Sequence, residues 1–151
     1  MSEAFSSIVV GTDGSDTAAK AVEHAIVLAL ALGSSLEIVS AYEPASNQRV
    51  PGQQTQAPHD LQWELSPRSD VLALLADAQT VAAEAGVGQV ETHARQGDAA
   101  DAILDVAEEQ AADLIVFGNK GLTGARRFLL GSVPNKVSHH APCSVLIVRT
   151  S

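Results

Sequence analysis

Residues 113–118, DLIVFG, are the stretch that decides how this chain folds. Leu114, Ile115, Val116 and Phe117 are apolar at every position, where a strand with one wet face would alternate. A run apolar on both faces suits a central strand of a parallel sheet that is covered on both sides. Gly118 ends the run. Working outward, Gly97 and Asp98 open a helix that carries Ala102, Ile103, Val106 and Ala107 on one face. Before it, QVETHAR (89–95) alternates and reads as a half-exposed strand. On the other side, Ser132 to about His140 reads as a short helix, and SVLIVRT (144–150) as a closing strand.

The first half repeats the pattern. In SSIVVGTDGS (6–15), a β-branched run over 7–11 stops at Gly11, and Thr12 to Ser15 read as a turn. Ser15 or Asp16 then caps a helix whose buried stripe is Ala18, Val22, Ala25, Ile26, Ala29 and Leu32, with Gly33 just past its end. SLEIVSAY (35–42) is a second strand. The polar, Pro- and Gln-rich segment that follows predicts a flexible loop over about 43–66, long enough to be a lid or binding loop. From about Pro67 to Gly86, Val71, Leu74, Leu75, Ala78, Val81 and Ala82 mark another helix. Strands alternating with helices imply a parallel sheet with helices on both faces. Ligands of such sheets sit beyond the carboxyl ends of the strands. The places to look are GTDGS (11–15) and GNKGLTG (118–124).

Composition narrows the function. The chain of 151 residues suits a single domain over 1–151, and no internal repeat divides it. With 46% hydrophobic and 18% charged residues it is a globule and not a disordered chain. No apolar run approaches the roughly 20 residues of a membrane span. The polar start lacks the basic region of a signal peptide, and the single cysteine, Cys143, excludes an internal disulfide; both fit the cytoplasm. A net charge of −9 argues against nucleic acid as a partner.

The charge is unevenly spread. Residues 114–151 hold five bases (Lys120, Arg126, Arg127, Lys136, Arg149) and no acid, while the rest hold four bases and all 18 acids. Within the basic segment lies Gly118-x2-Gly121-x9-Gly131-Ser132, running from a strand end to a helix start. Two readings stand on the residues alone: turn glycines with solvated bases, or a loop whose backbone approaches an anion held by the amides of Ser132 and Val133. No Walker A loop and no G-x-G-x-x-G after the first strand are present.

These motifs, with IVVGTDGSDTAAKAVEHA, ADLIVFGNKGL and LLGSVPNKVSHHAPCSVLIVRTS, resemble the universal stress protein family over essentially the whole chain. The wider group is the adenine-nucleotide α-hydrolase-like folds, and G-x2-G-x9-G-[ST] is the mark of the family's ATP-binding subgroup. The resemblance implies a Rossmann-like open five-stranded parallel sheet in the order 3-2-1-4-5. It also implies an adenine nucleotide, ATP or AMP, as ligand, with Mg2+ possible beside ATP. Carried over residue by residue, it places Thr12 and Asp13 near the ribose or adenine edge and the backbone of Ala41 at the adenine. Gly118 and Asn119 fall by the ribose, Gly121, Gly131, Ser132 and Val133 at the phosphates, and Lys120 and Arg127 as charge partners. Asp13 has a purely local alternative as an N-cap or Asx turn, compatible with the first role. The resemblance further implies a homodimer through the last strand, which the sheet order leaves at an edge.

One position departs from the pattern. Pro134 stands where many ATP-binding relatives have a hydroxyl residue, and GN-x-GL…GSVPNKVS is similar to an actinobacterial subgroup with cyclic AMP-binding members. Cyclic AMP is therefore the rival ligand. No residue is assigned a catalytic or metal-binding role: no general base is visible for a γ-phosphate, and adjacent His139 and His140 point about 100° apart on a helix. A nucleotide-responsive stress or signalling module ranks ahead of a slow ATPase or autophosphorylating enzyme, and both rank ahead of a nucleotide-free dimer.

Overall fold

The computed structural model describes residues 5–42, 67–118 and 132–149. The elements run β1 (Ser7–Gly11), α1 (Asp16–Leu32), β2 (Ser35–Tyr42), α2 (Pro67–Ala85), β3 (Val90–Gln96), α3 (Ala99–Glu109), β4 (Leu114–Gly118), α4 (Ser132–His140) and β5 (Ser144–Val148). All four pairings are parallel and the sheet order is β3-β2-β1-β4-β5, the order the resemblance implied.

Strand parity sorts the core into two layers. Ile8, Val10, Leu36, Ile38, Leu114 and Val116 pack with α1 and α2, through Ala21, Val22, Ala25, Ile26, Val71 and Leu75. Val9, Val39, Ile115 and Phe117 face the other way, onto Ala100, Ile103, Val106 and Ala107 of α3 and Val137 of α4. Both faces of β1 and β4 are therefore closed, which is why DLIVFG carries no polar alternation. Each fully buried aliphatic or aromatic side chain contributes roughly 1.5–3 kcal/mol. The α3 layer lies so close that a Cβ at Gly11 would stand 2.6 Å from Ile103 Cδ1, so a side chain there must push the end of Ile103 aside.

Local signals set the helix ends. The Oγ of Ser15 accepts from the amide of Ala18 (3.2 Å), so Ser15 and not Asp16 caps α1, and Gly33 ends it in the left-handed region at φ 69°. Asp98 caps α3 by accepting from the amide of Asp101 at 3.0 Å. The periodicity overshoots twice. Leu32 is exposed in the last position of α1, and Val81 is exposed beside the groove between α1 and α2.

At the amino ends of the strands, Asp113 accepts from the amides of Ser6 and Ser7 and from the Ser6 hydroxyl, at 2.9, 3.1 and 2.8 Å. The Ser6 hydroxyl and these amides hold the Asp113 carboxyl below its ordinary range. Among the described residues no helix is long and apolar enough to cross a membrane.

Candidate functional site

The order β3-β2-β1-β4-β5 reverses between β1 and β4, and the helices that follow these two strands, α1 and α4, pack on opposite faces. A crevice beyond the carboxyl ends of these two strands is the expected ligand position. Thr12 continues β1 into it, its amide donating to the carbonyl of Val39 at 2.9 Å, and its side chain is buried. Its Oγ1 accepts from the amide of Gly14 at 3.1 Å, and Gly14 takes φ 84°, which a side chain would strain. Asp13 Oδ1 accepts from the amide of Ser15 at 2.9 Å. The local Asx turn is thus present, and it uses one carboxylate oxygen of a half-buried residue.

Ala41 lies two residues beyond Val39 on β2, half-buried in the α3 layer, and pairs in register with Arg95. The amide of Gly97 donates to the carbonyl of Tyr42 at 2.8 Å, which ties the ends of β2 and β3 together. The guanidinium of Arg68 lies 6.0 Å from the centre of the Tyr42 ring, so the end of β2 and the start of α2 meet at this edge. Gly118 is the last residue of β4, paired with Val148. The structure therefore gathers Thr12, Asp13, Ala41, Gly118 and the start of α4 at the carboxyl edge of one sheet. Asn119, Lys120, Gly121, Arg127 and Gly131 lie outside the described residues, as do Arg126, Trp63 and the 43–66 loop.

The helix starts are not alike. Asp16, Asp70 and Asp101 stand in the first turns of α1, α2 and α3, whereas the first turn of α4 has no acid. A carboxylate there would compensate the positive end of the helix dipole. Lys136 holds α4 against α3, its Nζ 2.9 Å from Asp101 and 3.4 Å from Asp98. The hydrogen bond with Asp101 raises the Lys136 pKa. Sequence reasoning counted Lys136 among free bases and missed this anchoring role.

A cavity of ≈ 300 Å³ opens on the other side of the same turn, between α1 and α2, lined by Thr12, Val22, Ile26, Leu74 and Val81 with Glu23 and Asp77. Two carboxylates at its wall oppose an anion, so it does not compete for a phosphate. His139 and His140 are exposed in the last turn of α4. Cys143 packs half-buried against the α3 layer, and burial pushes its thiol up.

The family model for the universal stress protein family matches residues 4–149. The chain belongs to the universal stress protein family. A universal stress protein of Mycobacterium tuberculosis is 38% identical over 148 residues, spanning 98% of this chain and 99% of that one. A universal stress protein solved in complex with cAMP superposes with a TM-score of 0.73 at 36% identity, covering 99% of this chain and 100% of that one. UspA from Lactobacillus plantarum superposes with a TM-score of 0.76 at 26% identity, over 98% of this chain and 100% of that one.

Proposed function

We propose that this universal stress protein, acting as one cytoplasmic domain over 1–151, binds an adenine nucleotide in the crevice beyond β1, β2 and β4. The observation that carries the reading is the start of α4, the one helix among those described with no acid in its first turn. It follows directly on Gly118-x2-Gly121-x9-Gly131-Ser132 and the bases Lys120, Arg126 and Arg127. Open helix-start amides, a glycine-lined approach and local positive charge together suit a phosphate. Thr12, Asp13 and the backbone of Ala41 then stand where a nucleoside would lie, Gly118 and Asn119 beside the ribose, and Gly121, Gly131, Ser132 and Val133 at the phosphates. Lys120 and Arg127 are the charge partners. Asp13 keeps one carboxylate oxygen for a ribose hydroxyl while the other holds its turn.

The likeness to a universal stress protein solved with cAMP brings cyclic AMP level with AMP and ATP as ligand. Pro134 in the first turn of α4 favours a single phosphate over three, because it supplies neither a hydroxyl nor an amide. Mg2+ would accompany ATP only. Occupancy of the site, and not turnover, is the output of this reading.

Calorimetric titration of the full chain with cyclic AMP, AMP and ATP tests it. Micromolar binding, about −8 kcal/mol at 1 μM, is expected for at least one. Gly131→Val should abolish that heat while the circular dichroism spectrum is kept. No heat from any nucleotide at high micromolar concentration rejects the site.

Partner choice rests on β5. It closes one edge of the sheet, and Leu146 and Ile147 are 37% and 45% exposed, an apolar edge that invites pairing with another strand. A homodimer through about 144–150 would cover it. Ile147→Lys should then halve the mass seen by light scattering; a wild-type mass of one chain rejects the dimer.

A further inference from the structure

At the other edge of the sheet, β2 carries a carboxylate where its neighbours are apolar. Glu37 lies between Leu36 and Ile38 and is only 5% exposed. A buried carboxylate demands a partner, and it is His93 of β3, whose Nε2 stands 2.8 Å from Glu37 Oε1. Glu91, exposed, is the register partner of Glu37 directly across the β2–β3 ladder. Like charges facing one another across neighbouring strands repel. Of the two carboxylates only Glu37 bonds the imidazole, and a Glu91 oxygen stands within 4.8 Å of both groups. The nearby guanidinium does not relieve them, because Arg95 is held by both oxygens of Glu109 at 2.9 and 2.7 Å.

From this geometry we infer a divalent metal site formed by Glu37, Glu91 and His93, of the class that zinc occupies. One donor atom from each lies within 4.8 Å of the other two. A zinc ion with bonds of about 2.0–2.2 Å in tetrahedral geometry needs its ligand atoms about 3.3–3.6 Å apart. The Glu37–His93 pair at 2.8 Å must open to admit it, and Glu91, on the surface, closes in by side-chain torsion.

A second observation points the same way. The His93 bond is the one hydrogen bond to the Glu37 carboxylate among the described residues, yet no enclosed polar side-chain atom there lacks a partner. The other oxygen of Glu37 is therefore not fully enclosed, and among the described residues it is free of protein partners to meet an ion. An ion at Nε2 takes the place of the shared proton, with the imidazole proton carried on Nδ1. One imidazole and two carboxylates suit zinc or a neighbouring transition ion better than magnesium or calcium, which favour oxygen alone. The site stands four residues before Ala41 on β2, about 13 Å along the strand, and does not depend on the nucleotide reading.

The test is calorimetric titration of Zn2+ into chelator-stripped full-length protein, with Co2+ absorbance as a second probe of the donor set. One equivalent should bind with micromolar affinity and raise the melting temperature. Glu91→Gln, an exposed change that relieves the repulsion with Glu37 and so should not lower the metal-free melting temperature, should weaken Zn2+ about tenfold or more. The double variant His139→Gln, His140→Gln should bind as wild type does. Absence of binding up to about 100 μM, unchanged affinity in Glu91→Gln, or loss of the site in the His139/His140 variant would each overturn the assignment.

Discussion

Among the described residues four helices begin at the carboxyl edge of this sheet, and α4 begins differently from the other three. The starts of α1 and α3 are closed from within: Ser15 and Asp98 cap them, with Asp16 and Asp101 in the first turn. Asp70 stands in the first turn of α2. In α4 the first turn reads Ser132, Val133, Pro134, Asn135, and Lys136 follows it. A helix start leaves amides that need partners. Where the chain supplies them, the helix start stabilises the fold. The proposed reading gives the amides at the start of α4, where the first turn has no acid, to a ligand. Changes at the closed starts should therefore move stability, and changes at α4 should move affinity.

The largest effect expected from this division is at Pro134. A hydrogen bond to a charged group is worth roughly 1.5–3 kcal/mol, so restoring a hydroxyl and an amide should improve a triphosphate by about tenfold or more. Pro134→Ser is expected to strengthen ATP and to leave AMP and cyclic AMP within about twofold. Competitive titration of the three against wild type and variant reads this directly. A wild-type preference for ATP of about a hundredfold over both others would mean that Lys120 and Arg127 set the selectivity instead.

Asn135→Asp gives α4 the acid that its three neighbours have. Asn135 is exposed, so the fold accepts the change. The carboxylate should add a few tenths of a kcal/mol to stability through the helix dipole. It should weaken every nucleotide by about fivefold to tenfold, since it stands at the phosphate end. Nucleotide affinity unchanged at low salt would show that the phosphate lies elsewhere.

The sequence made the frame legible, and the family resemblance the strand order, but not which residues face each other across the strands. DLIVFG pointed to a covered central strand because periodicity is a local signal, and α4 was bounded at Ser132 and His140 by local signals too. Leu32 and Val81 fit the helical period yet are exposed, because period identifies a stripe and not how far a neighbouring helix reaches along it. On the site side, element order pointed to GTDGS and GNKGLTG, which hold Thr12, Asp13 and Gly118, while Ala41 came from the family resemblance. Glu37 was read as an ordinary strand residue. Its partner is 56 residues away, and only the β2–β3 register brings them together. A lone acid inside an apolar strand was the available signal. The bond from Lys136 to Asp101 was hidden in the same way, since α3 and α4 approach only in the folded sheet.

The smallest effect expected is at a closed start, and it is the control for the rest. Asp98 accepts from the amide of Asp101 at 3.0 Å and faces Lys136 at 3.4 Å. Removing a cap of this kind costs about 1 kcal/mol, whereas asparagine caps about as well as aspartate. The longer Lys136 contact joins half-exposed groups and contributes little. Asp98→Ala should lower the urea midpoint with the slope unchanged, and Asp98→Asn should restore most of it. Neither should weaken nucleotide binding, because Lys136 keeps its 2.9 Å contact with Asp101 and α4 stays in place. A tenfold loss of affinity in Asp98→Ala, about 1.4 kcal/mol, would break the division between closed and open helix starts, since a cap on α3 would then be acting on the ligand through α4.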